Sequence, residues 1–415
     1  MITKPEVLSP AGDMEKLIAA VTYGADAVYL AGPLFGMRAG AGCFSEEELP
    51  QAVEYCHARG VRVYVTCNTI PTDEELRRLP PFLELLESCG ADAVIAADIG
   101  VLRAAQKYAP HCALHISTQA GIMNSDTANA FYDMGASRVI LARELRMEQI
   151  RVLRKNTPAD LEIEAFCHGA MCVSFSGRCT LSNYLTGRDA NRGQCAQPCR
   201  WKYHLVEEKR PGEYFEITED NGTYILNSRD MCMIEHIPDL LDAGVTSLKI
   251  EGRTKSAYYA AAVTNAYRHA VDAVLAGREP AEHWLREVNN ISHRPYSTGF
   301  FYGYPGQYSG DACYFADSDV IAVVETCDPD GTAVLRQRNR FFPGDEVELL
   351  MPGADAPLSF VMPAMTDDDG CDVPSARHAQ MALHTVLPVQ APPLSFLRKR
   401  RVTDLPGHAV TPKEG

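Results

Sequence analysis

GADAVYL at residues 24–30 and GADAVIA at residues 90–96 are the same device used twice: a glycine-led turn that runs straight into a short apolar segment. Glycine adopts the left-handed conformation that closes a helix, so this order marks a helix end followed by a buried parallel strand. GVRV at 60–63, GASRV at 135–139 and GVTSL at 244–248 repeat it with other side chains. Working outward from these turns, strand-like runs fall at 6–8, 26–30, 61–67, 92–96, 113–117, 138–141, 161–166 and 247–250. Amphipathic stretches follow at 13–23, 46–59, 73–89, 99–108, 125–134, 146–155, 235–243 and 256–276. Eight strand–helix units predict an α/β fold, a (β/α)8 TIM-like barrel over residues 1–280, with an open doubly wound sheet as the alternative.

In such a barrel, chemistry belongs at the carboxyl ends of the strands. Polar residues recur there: Ser9, Asn68, Asp98, Gln119, Arg143 with Glu144, His168, and Glu251 with Arg253. Glu164 lies within the seventh strand. The connection after that strand is far longer than a βα loop needs to be, and long insertions on this face carry function. This insertion, 167–230, holds Cys172, Cys179, Cys195 and Cys199 in glycine-rich sequence, then alternating segments that read as a small β-meander; Cys232 follows where a helix is expected to begin. From 281 to 316 the chain is aromatic and turn-rich, a linker or strap. Alternating strands at 319–327, 332–337, 345–350 and 357–362 predict a separate small β-barrel over 317–402, and 403–415 reads as a tail.

The 415 residues include 14 cysteines and carry a formal net charge of −15. No run near 18 apolar residues and no secretory leader is evident, so the expectation is a cytoplasmic protein without a membrane partner. In a reducing cytosol clustered cysteines read as metal ligands or reactive thiols rather than disulfides. Thiolates select iron–sulfur clusters, zinc or copper(I). The spacing of Cys172, Cys179, Cys195 and Cys199 is not the paired C-x2-C of a zinc ribbon, and it leaves open a cluster, a structural zinc or unligated thiols. The acidic balance speaks against generic nucleic-acid binding. Three basic patches stand against it: Arg188, Arg192, Arg200 and Lys202; Lys249, Arg253 and Lys255; and Arg398 to Arg401. Ser176 or Cys172 beside His168 would serve a hydrolase, but no G-x-S-x-G elbow, HExxH or phosphate-binding loop accompanies them.

EAFCHGAMCVSFSGRCTLS at 164–182 resembles the signature of the collagenase-like peptidase family U32, of unassigned catalytic type. PEVLSPAGDMEKLIAAVTYGADAVYL at 5–30 and SLKIEGRTKSAYY at 247–259 resemble it too, and the likeness covers essentially the whole chain. NRGQCAQPCRWKYHL and NSRDMCMIEH look most like the branch that hydroxylates tRNA; sister branches act on ribosomal RNA and in ubiquinone hydroxylation. The resemblance implies a [4Fe-4S] cluster on Cys172, Cys179, Cys195 and Cys232, with Cys199 as the competing ligand and zinc as the alternative metal. It further implies oxygen-independent hydroxylation of the wobble uridine of tRNA, prephenate-derived metabolism as the oxygen source, and a homologous family member as a partner. His168, Glu164, Asn68, Gln119, Arg143, Glu251 and Arg253 are then the catalytic candidates. Arg38, Lys249, Arg188 and Arg192 are candidates to hold phosphates or the carboxylates of prephenate. A peptidase is the second expectation and a non-catalytic RNA-binding protein the third.

Overall fold

The computed structural model describes residues 4–37, 42–172, 174–201, 205–206, 214–215, 228–306, 308 and 314–401. The chain divides into two compact units, Met1–Phe315 and Ala316–Gly415.

Unit one is a closed parallel barrel. Its strands are β1 (Glu6–Pro10), β2 (Ala27–Leu30), β3 (Arg62–Cys67), β4 (Ala93–Ala96), β5 (Ala113–Ile116), β6 (Arg138–Ile140), β7 (Glu162–Ala170) and β8 (Ser247–Ile250). Each pairs in parallel with its neighbour, and β8 bonds to both β7 and β1 to close the ring. The opening turns behave as their sequence demands. Gly24, Gly60, Gly90, Gly135 and Gly244 all take positive φ. The aspartates that follow two of these glycines then reach back one strand. Asp26 accepts the Val7 N–H at 2.9 Å, and Asp92 accepts that of Val63 at 2.7 Å. One tripeptide therefore ends a helix and sets the register between two strands.

The predicted helix at 73–89 is two helices, Asp73–Leu76 and Leu79–Cys89. Pro80 and Pro81 sit in the first turn of the second, where a missing N–H is harmless; placed mid-helix they would break it. Ser9 and Asp98 belong to the scaffold rather than to a shared site. Ser9 bonds Thr264 of the helix Ala257–Leu275 at 2.7 Å, and Asp98 caps the helix Ile99–Tyr108. Among the described residues no helix is long and apolar enough to cross a membrane.

The amino-terminal half of the barrel interior is ionic. Arg138, 1% exposed, donates to Glu6 at 2.6 Å and to Glu164 at 3.0 Å. Tyr64 donates to Glu6 at 2.6 Å, Ser247 to Glu6 at 2.9 Å, and Lys249 to Glu164 at 2.7 Å. Five strands are thereby tied by one network in which two buried cations face two buried carboxylates. Burial alone would raise the Glu6 pKa, yet the Arg138 guanidinium holds it below the usual carboxylate range.

Unit two is a curled antiparallel sheet in the order Leu358–Val361, Glu346–Leu350, Phe396–Arg400, Ser318–Cys327, Thr332–Gln337, Ala382–Val386. It wraps a core that includes Val324, Leu335, Phe341, Leu349, Leu383 and Leu397. The strands at 382–386 and 396–400 were not anticipated. The basic run at 398–401 reads as a patch, but the fold neutralises it: Arg398 pairs with Glu348 at 2.8 Å, Lys399 with Asp345 at 2.6 Å and Arg401 with Asp319 at 2.7 Å.

Replacing Arg138 by Met should cost roughly 3–5 kcal/mol, the usual result of leaving buried charges without a partner. Urea unfolding checks this. Because the folded Glu6 pKa lies below the unfolded one, its contribution is present above the unfolded value and is lost as pH falls through the folded value. The variant should therefore show a shallower acid dependence of stability than the parent.

Candidate thiol-lined active site

The barrel mouth holds a small cavity of about 90 Å³ lined by Asn68, Gln119, Arg143, Lys249, Glu251 and Arg253, with Tyr29, Met37 and Phe166 among its neighbours. Five residues expected from strand-end positions, and Lys249 expected as a substrate-binding cation, thus meet around one space. Asn68 accepts the Met37 N–H at 3.1 Å and donates to Ser117 at 3.2 Å, which orients its amide. Arg143 donates to the Ala170 carbonyl at 3.0 Å and stands 5.1 Å from the Phe166 ring centre. Arg253 is buried, bonded to Thr66 at 3.3 Å and to the Met37 carbonyl. Burial pulls the Lys249 pKa down, and Glu164 partly restores it.

Two of the catalytic candidates stand away from that cavity. Glu164 lies deeper in the barrel, held by Arg138 and Lys249. His168 is enclosed by the rings of Tyr259, Tyr267 and Tyr296, with burial pushing its pKa down to about 3. Arg38 lies outside the described residues, as do Lys202 and most of the expected meander, of which the pairing of Leu205–Val206 with Tyr214–Phe215 is described.

The cysteine insertion is docked on the mouth by a clip that sequence reasoning missed. Glu144 accepts both the N–H and the hydroxyl of Ser176, at 2.8 and 2.9 Å, and the Arg143 N–H reaches the same hydroxyl oxygen at 3.4 Å. Gly177, with φ of +73°, lies against the Gln119 backbone where a Cβ would collide. Beneath the clip is a larger cavity of about 290 Å³ whose wall carries Cys172, Cys179, Cys195 and Cys199 together with Arg143, Arg188 and Arg200. Burial raises the Cys199 pKa; Arg200 opposes this, and neighbouring Cys172 and Cys195 add to it. The four thiols are spread around the wall: among the described residues no three His, Cys, Asp or Glu side chains converge to hold a metal ion.

Cys232 is not on that wall. It lies in a short strand, Asp230–Cys232, rather than at a helix start, and pairs antiparallel with β7 opposite His168. Its thiol is pushed up to about 12 by burial. The same strand is anchored by Asp230, which takes a 2.7 Å ion pair from buried Arg294. This strand was unforeseen because β7 continues through Ala170, four residues past its apolar run. Arg192 pairs with Glu75 at the edge of a different cavity, and Arg188 stays at the thiols.

Residues 12–311 match peptidase family U32, and residues 316–398 match the peptidase family U32 C-terminal domain. The chain belongs to peptidase family U32. It is 37% identical over 403 residues to tRNA hydroxylation protein P1 of Bacillus subtilis (strain 168), covering 95% of both chains. It is 34% identical to tRNA hydroxylation protein P of Escherichia coli (strain K12), covering 90% of this chain and 91% of that one. It is also 34% identical to a collagenase of Porphyromonas gingivalis (strain ATCC BAA-308 / W83), covering 72% of this chain and 73% of that one.

Gly177→Ala should undo the docking of the insertion while leaving the barrel folded. Cys172 and Cys179 should then react faster with a thiol reagent at an unchanged thermal midpoint for the barrel. Thiol kinetics identical to the parent would show that the clip does not hold the insertion in place.

Proposed function

We propose that this protein is an RNA hydroxylase acting on tRNA, with a [4Fe-4S] cluster held by the thiols of the insertion. One observation carries the reading: the thiol-lined cavity and the barrel-mouth cavity share Met37, Gln119 and Arg143 as a common wall. A redox group among the thiols would adjoin a polar pocket at the strands' carboxyl ends, where barrel enzymes work. Relatives that are tRNA hydroxylation proteins support the same activity.

Cys172, Cys179, Cys195 and Cys199 are the side chains that would hold the cluster, and an all-sulfur donor set suits it. The proposal gives the fourth place to Cys199, which lines the same cavity, rather than to Cys232. Zinc on the same cysteines is the alternative metal. When bound, the cluster supplies one-electron chemistry. The remaining work falls to the chain. Arg143, Arg253 and Lys249 make the mouth positive for an anionic co-substrate, with prephenate carboxylates as the finer expectation. The Asn68 and Gln119 amides offer donors and acceptors to a pyrimidine edge, and the wobble uridine is the finer target. Glu251 is the carboxylate at the mouth that can take up a proton.

The family's peptidase label and its collagenase relative favour hydrolysis as a second reading. Ser176, however, gives its hydroxyl to Glu144, and His168 is walled off by tyrosines. Ser176 and His168 are thus engaged with other partners.

Protein purified without oxygen should be brown and hold about four irons per chain. Cys199→Ser should lose colour and iron, and Cys232→Ser should keep both; the reverse pattern moves the fourth ligand to Cys232. Mass spectrometry of tRNA nucleosides from cells lacking the protein should show loss of hydroxylated uridine derivatives. An unchanged nucleoside profile rejects the hydroxylase.

A further inference from the structure

We infer that the rim of the thiol-lined cavity is a docking surface for single-stranded RNA, which stacks unpaired bases on Tyr184 and Trp201 and seats phosphates on Arg188 and Arg200. The inference rests on the RNA reading above and adds the form in which the RNA is presented.

The most exposed large apolar side chain among the described residues lies in the insertion. Tyr184 is 89% exposed, Trp201 44% and Phe175 40%, and all three lie within residues 175–201. The short helix Leu181–Thr186 explains part of this. It turns Ser182 inward, where the side chain accepts the Ala196 N–H at 3.0 Å, and leaves Tyr184 and Leu185 facing solvent. Phe175 lines the thiol cavity, and Tyr184 and Trp201 adjoin two of its lining residues along the chain, Leu181 in the same short helix and Arg200.

Charge at the same place identifies the ligand. Arg143, Arg188 and Arg200 line the cavity, and among the described residues no carboxylate lines it, on a chain whose net charge is −15. Arg188 makes no ion pair among the described residues, because the adjacent Asp189 is used to cap the Asn191 N–H at 2.9 Å. Arg200 donates to the Tyr314 hydroxyl at 3.0 Å, and Lys255 stands 4.7 Å from the Tyr314 ring centre, which extends the cationic and aromatic rim toward the strap. Cations interleaved with exposed rings are how proteins bind unpaired nucleic acid: phosphates take the charge and each base offers a face for stacking. A duplex hides those faces, and a base must leave its stack to enter a cavity. Tyrosine, tryptophan and arginine also favour protein interfaces, but a cavity lined by three arginines is complementary to a polyanion.

The test uses the full chain, purified without oxygen, titrated by fluorescence anisotropy with an RNA hairpin bearing a uridine-containing loop and with a fully paired duplex of equal length. The hairpin should bind more tightly than the duplex. Tyr184→Ala should weaken hairpin binding about 10-fold, within the range set by losing one stacked base, and Tyr184→Trp should restore it. Arg188→Ala should lower the slope of log K against log salt by about 0.7, one phosphate's share on a single strand. Melting curves equal to the parent's confirm that the variants fold. Unaltered hairpin affinity in Tyr184→Ala, or duplex binding as tight as hairpin binding, overturns the assignment of the rim and leaves the RNA reading standing. A Tyr184→Ala variant that changes oligomeric state in light scattering while binding RNA like the parent assigns the rim to a protein partner and also overturns it. A parent protein that binds neither RNA overturns the RNA reading itself.

Discussion

Arg138 is a permanent cation with almost no access to water, and the barrel is arranged around its neutralisation. An uncompensated charge in that interior would cost several kcal/mol. Glu6 and Glu164 must therefore lie beside it, and β1, β6 and β7 must stay in the register that brings them there. Tyr64 and Ser247 add β3 and β8 by supplying the remaining donors. The same network decides where chemistry can occur. Glu164 is taken up by Arg138 and Lys249, and the ionic layer fills the amino-terminal half of the barrel. Open space is left toward the carboxyl ends of the strands.

What stands over that space is held by few contacts. The Ser176 hydroxyl and amide on Glu144, and the close approach of Gly177 to Gln119, join the insertion to the mouth at the point where the two cavities meet. Arg143 links the parts, since it lines both cavities and its guanidinium bonds the end of β7. Around the thiols the field is positive. The arginines would offset the negative charge of an iron–sulfur centre. Arginines thus line this cavity on a chain whose net charge is −15.

Much of this was legible from local sequence, and for identifiable reasons. The glycine-aspartate turns announce both a left-handed helix end and a strand start, because few other residues reach that φ cheaply. Strand-end positions pointed to Asn68, Gln119, Arg143, Glu251 and Arg253 because side-chain direction alternates along a strand, so residues at equivalent heights face one mouth. The failures share a cause as well. Arg398 looked like part of a solvent-facing patch, but its partner Glu348 lies on a neighbouring strand fifty residues away. His168 looked catalytic by position, yet it pairs with Cys232 of a distant strand and is surrounded by the rings of Tyr259, Tyr267 and Tyr296.

By itself the sequence determined the units of this protein: eight strand–helix repeats, a thiol-rich interruption after the seventh, and a distinct β-rich end. Those features follow from periodicity and turn chemistry, which act over a few residues. Only the tertiary structure decided which groups share a space. It put Cys199 with Cys172, Cys179 and Cys195, placed Cys232 in a strand paired with the end of β7, and joined the thiol cavity to the mouth through Arg143. Such groupings depend on which strands pair and how the buried charges are satisfied, and those contacts link residues far apart in the chain.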